Sequence, residues 1–188
     1  MNNQRIFIPD EHFDLLCGRV ERFLKKDVNL PDNPFEISFK HYAFDEFDWA
    51  LSGDFWRAIS KLIVRYEDES VLVAVCDPSP REFKEAFGYY NWAKLPASLT
   101  VTDYWDFLNI APEGNAADSI LATCEEIMWI SSSGQWAVWG ERKAGICVLG
   151  SKDIPKDSDW KNIEWVIETF PNDDSGVFVR QLKNNFEY

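Results

Sequence analysis

The chain has 188 residues, a net charge of −13 and an aromatic content of 15%. This length fits a single domain, residues 1–188, and it is long enough to bury a core that needs no disulfide to hold it. The negative charge excludes nucleic acids and anionic membranes as partners, because both would be repelled, and it favours a basic macromolecule.

Helices and strands in the first third of the chain are predicted from the spacing of apolar residues. Residues 10–26 predict a helix, because apolar residues recur three and four apart on one face. Residues 35–44 begin with alternating apolar and polar residues, which predicts a half-buried strand. A second helix is predicted over 54–66. The continuous apolar run at 71–75 predicts a central strand that is covered on both faces.

The middle of the chain predicts three further helices from their start and stop residues. The sequence Ser-Pro-Arg-Glu at 79–82 supplies a cap, a first-position proline and a capping-box acid. Gly88 then ends this helix. A short helix is predicted over 103–109, and another over 116–124 behind an asparagine cap.

From residue 126 onward the apolar period shortens, which indicates strands. Three strands joined by turns are predicted, over residues 126–131, 135–142 and 145–150. A helix is predicted over 158–170 and a final strand over 177–182. The resulting fold class is α+β, with a mainly antiparallel sheet that ends in a C-terminal meander and packs against several helices.

Motifs of known chemistry are absent from the sequence. His12 and His41 have neither metal-ligand nor triad spacing, so neither a metal nor a cofactor is expected. The serines and glycine at 131–134 do not form a nucleophile elbow, and a turn is the better interpretation. Asp103 and Asp106 lie three apart, so they could act as an acid–base pair or bind a cation. They could also simply stabilise the start of a helix.

A stretch without cations, residues 95–141, is the most informative feature. It contains seven acids, namely Asp103, Asp106, Glu113, Asp118, Glu125, Glu126 and Glu141. It also contains four tryptophans, Trp105, Trp129, Trp136 and Trp139. One interpretation is a solvated acidic face over buried aromatic residues. The other is a surface where aromatic anchors and negative charge bind a basic protein.

The second interpretation gives a defined set of partner-binding residues. They are Asp45, Glu46, Asp48, Asp103, Trp105, Asp106, Glu113, Trp136, Trp139 and Glu141. Because Trp136 and Trp139 are three apart in a strand, they should lie on opposite faces, with one in the core. The other is either covered by a helix or exposed to a partner.

The run MWISSSGQWAVWGERKAGICVLG, residues 128–150, resembles a pattern found in bacterial immunity proteins of polymorphic-toxin and contact-dependent inhibition systems. The pattern comprises two tryptophan-bearing strands around a small-residue turn, a charged pair and an aliphatic strand. Its residues here are Trp129, 131–134, Trp136, Trp139, Glu141, Arg142 and 146–149. The resemblance implies a small cytoplasmic, non-catalytic protein that blocks a cognate toxin domain. Many such toxins are nucleases with basic active sites, which suits an acidic inhibitor.

The sequence is therefore compatible with three functions. The first is an immunity-type inhibitor that binds a basic toxin domain. The second is a small-ligand sensor with an aromatic pocket ringed by Trp92, Trp105 and Trp129. The third is an enzyme with a carboxylate site. No stretch is long and apolar enough for a membrane span or a signal peptide, and the four cysteines are widely spaced. These features predict a cytoplasmic location.

Overall fold

The computed structural model describes residues 6–111, 114–154, 159–170 and 176–186. These residues form a six-stranded sheet in the order β1-β6-β5-β4-β2-β3. The strands are β1 His41–Glu46, β2 Ser70–Asp77, β3 Trp92–Pro96, β4 Glu126–Ser131, β5 Trp136–Glu141 and β6 Ile146–Ser151. Each neighbouring pair is antiparallel, and β4, β5 and β6 form a meander. The α+β prediction is confirmed.

Eight α-helices accompany the sheet in the described residues. They are α1 Asp10–Glu21, α2 Phe47–Ala50, α3 Gly53–Arg65, α4 Pro80–Phe87, α5 Val101–Leu108, α6 Ile120–Thr123, α7 Ile163–Thr169 and α8 Val177–Phe186. A short 3₁₀ helix, Ala116–Asp118, precedes α6. Within the parts of the chain that are described, no helix combines the length and the apolarity needed to cross a membrane.

The sheet is buried on both faces, and each face carries its own hydrophobic core. Val71 and Val73 of β2 contribute to one core, whereas Leu72 contributes to the other. The first core is covered by α2, α3, α5 and α6. The second is covered by α1, α7, α8 and the segment 23–39. Side chains of a strand point alternately to its two faces, so the sequence of a strand that is buried on both faces is apolar at every position. The prediction for 71–75 is confirmed.

The predicted strand over 35–44 is wrong in its first half. The strand begins at His41, and residues 35–40 instead cross over the second core. Phe35 and Phe39 both point inward, with ring centroids 5.2 Å apart. The ring of Phe39 lies against Gly150, at a place where a Cβ atom would collide with it. The alternation therefore reflects two aromatic rings packed onto the sheet rather than strand pairing.

The predicted strand over 177–182 is also wrong, because this segment is α8. Val179, Leu182 and Phe186 are its buried residues, and their spacing of three and four is helical. The edge strand β3 was not predicted. The predicted helix over 116–124 is interrupted, since Ser119 separates the 3₁₀ turn from α6.

Candidate functional site

The two tryptophans of β5 lie on opposite faces of the sheet, as their spacing predicts. Trp136 belongs to the first core and Trp139 to the second. Their exposed fractions are 0% and 1%, respectively. The expectation that Trp136 and Trp139 bind a partner is therefore wrong, because helices and the segment 23–39 cover both faces.

The serine-rich turn before β5 holds a buried carboxylate. Asp68 is 6% exposed, and it accepts hydrogen bonds from Ser132 Oγ at 3.0 Å and Ser133 N at 2.7 Å. Trp136 Nε1 also donates to this carboxylate, at 2.9 Å. Gly134 completes the turn with a φ of 69°, a conformation that favours glycine. The serines therefore shape a turn around Asp68, which agrees with the structural interpretation.

Two of the acids predicted to bind a partner are buried. Glu141 is 5% exposed and accepts a hydrogen bond from Leu30 N at 2.9 Å. Asp45 is 7% exposed and accepts one from Glu46 N at 2.9 Å. Burial raises the pKa of the Asp45 carboxyl. Neither Asp45 nor Glu141 belongs to an exposed binding surface, so these two assignments are corrected.

Antiparallel pairing brings the acids at the strand ends to one end of the sheet. In the strand register, Asp77 pairs with Glu126, Glu126 pairs with Glu141, and both Glu141 and Glu46 pair with Ile146. With their chain neighbours, these acids form what we call the acidic sheet end. Its members are Glu46, Asp48, Asp77, Glu125, Glu126 and Glu141.

Arg142 is the basic residue bound within the acidic sheet end. Its Nε lies 3.5 Å from Glu125 Oε1, and its Nη1 lies 3.9 Å from Asp48 Oδ1. It also donates to the carbonyl oxygens of Cys124 and Leu121, at 2.8 Å and 3.0 Å. Arg142 thus neutralises part of the cluster and anchors α6 to the sheet. Glu125 lies in the acidic stretch but was not among the predicted partner-binding residues; the strand register places it here, next to Glu126.

Helix α5 carries the other predicted acids. The Asp103 carboxylate accepts hydrogen bonds from Thr100 N at 3.2 Å and Thr100 Oγ1 at 2.7 Å. Thr100 Oγ1 accepts in turn from Asp103 N at 3.1 Å, which completes a capping box. The hydrogen bonds from Thr100 lower the pKa of Asp103. Asp103 therefore stabilises the helix start, the simpler of its two interpretations.

The remaining predicted residues of α5 face solvent. Asp106 is exposed, and Trp105 is 46% exposed. An open cleft of about 530 Å³ lies beside Asp106 and is also lined by Asp103 and the apolar residue Ile110, whereas Trp105 does not line it. Glu113, the remaining acid assigned to the partner surface, lies outside the described residues.

The three tryptophans proposed to ring a ligand pocket are not brought together. Trp92 is buried in the second core, Trp129 is buried in the first, and Trp105 is exposed. The sheet separates Trp92 from Trp129, so they cannot line one cavity. Among the described residues there is also no group of three or more histidine, cysteine or acidic side chains that could hold a metal ion.

Comparisons of the chain with protein-family models, curated proteins and solved structures found no match in any of the three. The resemblance of residues 128–150 to immunity proteins stays a prediction. The exposed face of α5 and the exposed acids of the acidic sheet end are the two surfaces from which a function can be argued.

Proposed function

We propose that this chain is a non-catalytic protein-binding protein of the cytoplasm, an immunity-type inhibitor that neutralises a basic toxin domain. The observation that carries the proposal is the exposed face of α5. There Trp105 is 46% exposed beside the exposed Asp106. The free state of all four cysteines agrees with a reducing compartment.

Trp105 stands apart from the other tryptophans of the chain. All nine lie within the described residues, and Trp105 is the one that is exposed. A large aromatic side chain in water gains free energy when a partner covers it, which is why tryptophans are enriched at interface centres. The open cleft that Asp106 lines gives a partner side chain a place to enter on the acidic side of the same helix. Trp105 is therefore the anchor of the proposed surface.

Helix α5 holds this anchor in a fixed position. Its inner face buries Tyr104, Phe107 and Leu108, and the Tyr104 hydroxyl donates to Ala50 O at 2.9 Å. The capping box at Thr100 fixes the first turn. A surface that is already ordered loses little conformational entropy when it binds, so more of the contact energy appears as affinity.

Electrostatics supply the preference for a basic partner. The chain carries a net charge of −13, and residues 95–141 contain no cation. Such a field accelerates association with a basic surface and weakens as salt is added. Surface acids in this arrangement present carboxylates where a nuclease domain would bind phosphates.

Affinity capture from the native host tests the proposal. The tagged chain should retain one protein with a basic binding domain, and the retained amount should fall as salt rises. The purified partner should then lose its toxic activity when one equivalent of the chain is added. A partner that stays active in the complex would contradict the inhibitor role.

A matched pair of charge reversals locates the surface. Asp106→Lys should weaken binding at low salt by at least tenfold, whereas Glu21→Lys should leave it unchanged. Glu21 is an exposed acid at the end of α1, which covers the opposite face of the sheet. If both variants bind equally well, α5 is not the contact surface.

A further inference from the structure

A second cleft, of about 450 Å³, lies between the segment that follows α1 and the strands of the acidic sheet end. Two hydrogen bonds tie this segment to the strands. Asn29 Nδ2 donates to Glu126 Oε1 at 2.7 Å, and Leu30 N donates to Glu141 Oε2 at 2.9 Å. The cleft is thus formed by the fold itself, and it lies on the second core's side of the sheet, away from α5.

The strand wall of this cleft is negative. Glu126 lines it, and within the described residues this carboxylate has no cation at ion-pair distance. Burial raises the pKa of Glu126, against the hydrogen bond from Asn29, which lowers it; the nearby carboxylates of Glu141, Asp77 and Glu125 raise it further. A ligand cation bound at this wall would therefore reduce the repulsion between the Glu126 carboxylate and its acidic neighbours.

The opposite wall is positive. It comes from the segment after α1 and carries Lys25 and Lys26, with Asp27 offsetting one of these charges. Lys25 Nζ donates to Asn33 O at 3.0 Å, and Lys26 is exposed. A ligand that presents an anion on this side would meet ammonium groups, which bind carboxylates by charge-assisted hydrogen bonds.

The cleft also has an apolar part, which we call its floor. It includes Leu24, Val28 and Trp139, of which Trp139 is 1% exposed. The Cys76 thiol also lines the cleft, and burial raises its pKa to about 12, so it is uncharged at neutral pH. An aliphatic side chain would lose its water against this floor.

We propose that this cleft binds a small zwitterion, an α-amino acid with an aliphatic side chain. Its ammonium group lies against Glu126, its carboxylate against Lys25 and Lys26, and its side chain on the floor beside Trp139. An amine alone would leave the lysine wall unmatched, and a carboxylate alone would meet the negative wall. The inference does not depend on the proposed inhibitor function, since α5 lies on the other side of the sheet.

Three ligands with one aliphatic group test the proposal. L-leucine, 3-methylbutylamine and 4-methylpentanoate differ only in whether they carry both charges, the ammonium or the carboxylate. Each is titrated into the ¹⁵N-labelled full chain and followed by NMR, with the Trp139 indole N–H signal as the local reporter. L-leucine should bind at least tenfold more tightly than either analogue. Equal binding of the amine, or no binding of leucine, would overturn the proposal.

Charge-neutralising variants then identify the walls. Glu126→Gln keeps an oxygen acceptor for Asn29 but removes the negative charge, so it should weaken leucine binding at least tenfold. Lys26→Gln, at an exposed position where folding is not at risk, should also weaken it. The control is Glu46→Gln, at the same sheet end but outside this cleft, which should bind as the unmodified chain does.

The Glu46→Gln control also distinguishes a specific site from a general effect of negative charge. If Glu46→Gln weakens leucine binding as much as Glu126→Gln, the cleft is not a specific site. Partner capture should be unchanged in Glu126→Gln, so failure of the amino-acid site and failure of the inhibitor function give different results.

Discussion

The β4–β5 hairpin and helix α5 come from the same acid-rich stretch, yet the fold treats their tryptophans in opposite ways. Trp136 in the hairpin is fully buried, and its indole N–H is bound by Asp68. Trp105 in α5 is 46% exposed. Both regions contain acids and tryptophans, so the burial of a tryptophan depends on how many faces of its helix or strand are covered.

Helices and the segment 23–39 cover both faces of strands β4 and β5, whereas α5 has one covered face. In β5 each of the six positions is buried, including the acid Glu141 at the last position of the strand. In α5 the buried residues are Tyr104, Phe107 and Leu108. Trp105 and Asp106 lie on the other side of the helix. Helix α5 can therefore bind a partner through its exposed side, whereas the strands of the hairpin cannot.

Replacing each tryptophan by alanine gives the largest expected contrast. Trp136→Ala removes a buried indole and should lower the free energy of unfolding by about 3–5 kcal/mol. Trp105→Ala should change it by less than about 0.5 kcal/mol. Urea unfolding followed by circular dichroism measures both. Similar losses in the two variants would show that Trp105 is part of the folded core, which would contradict its role as a free anchor.

Asp68→Ala tests whether the carboxylate beneath the serine turn holds the hairpin. The change leaves Trp136 Nε1 and Ser133 N without their acceptor, so the free energy of unfolding should fall by about 3 kcal/mol. Asp106→Ala is the matched control on α5, and it should have little effect. Equal stability of these two variants in urea would mean that water replaces the carboxylate in the turn.

Thr100→Ala tests whether the capping box is needed to hold α5 in its orientation. Losing the capping hydroxyl should cost about 1 kcal/mol of stability, and Thr100→Ser should restore most of it. Partner affinity should fall with the alanine variant, because the first turn of α5 then frays. An alanine variant that binds the partner as tightly as the unmodified chain would show that the surface does not need an ordered helix start.

The sequence predicts the middle of the fold better than its edges. The run at 71–75 was recognisable because a strand buried on both faces has apolar residues at every position. Strand β3 was missed since Trp92–Pro96 is short and contains an exposed lysine. The sequence placed Glu46, Asp48 and Glu141 in one predicted surface, but it could not join Asp77, Glu125 and Glu126 to them, because only the pairing order of the strands brings these acids together.

Asp45 and Asp103, whose pKa values shift in opposite directions, should give opposite dependences on pH. Burial raises the pKa of Asp45, so its charge lowers stability at pH values above that pKa. Asp45→Asn keeps an acceptor for Glu46 N and should stabilise the chain at pH 7 by roughly 0.5 kcal/mol. This gain should vanish as the pH falls through the raised pKa to the unfolded value.

Asp103 should behave in the opposite sense, because the hydrogen bonds from Thr100 favour its charged form and lower its pKa. Its contribution is present above the unfolded pKa and is lost as the pH falls through the lowered folded pKa. Asp103→Asn should therefore destabilise the chain at pH 7, by an amount that shrinks in acid. Urea midpoints of both variants between pH 3 and pH 7 measure the two trends. Parallel trends would mean that the sheet and α5 do not place their acids in different environments, and the contrast between the two regions would then rest on the tryptophans alone.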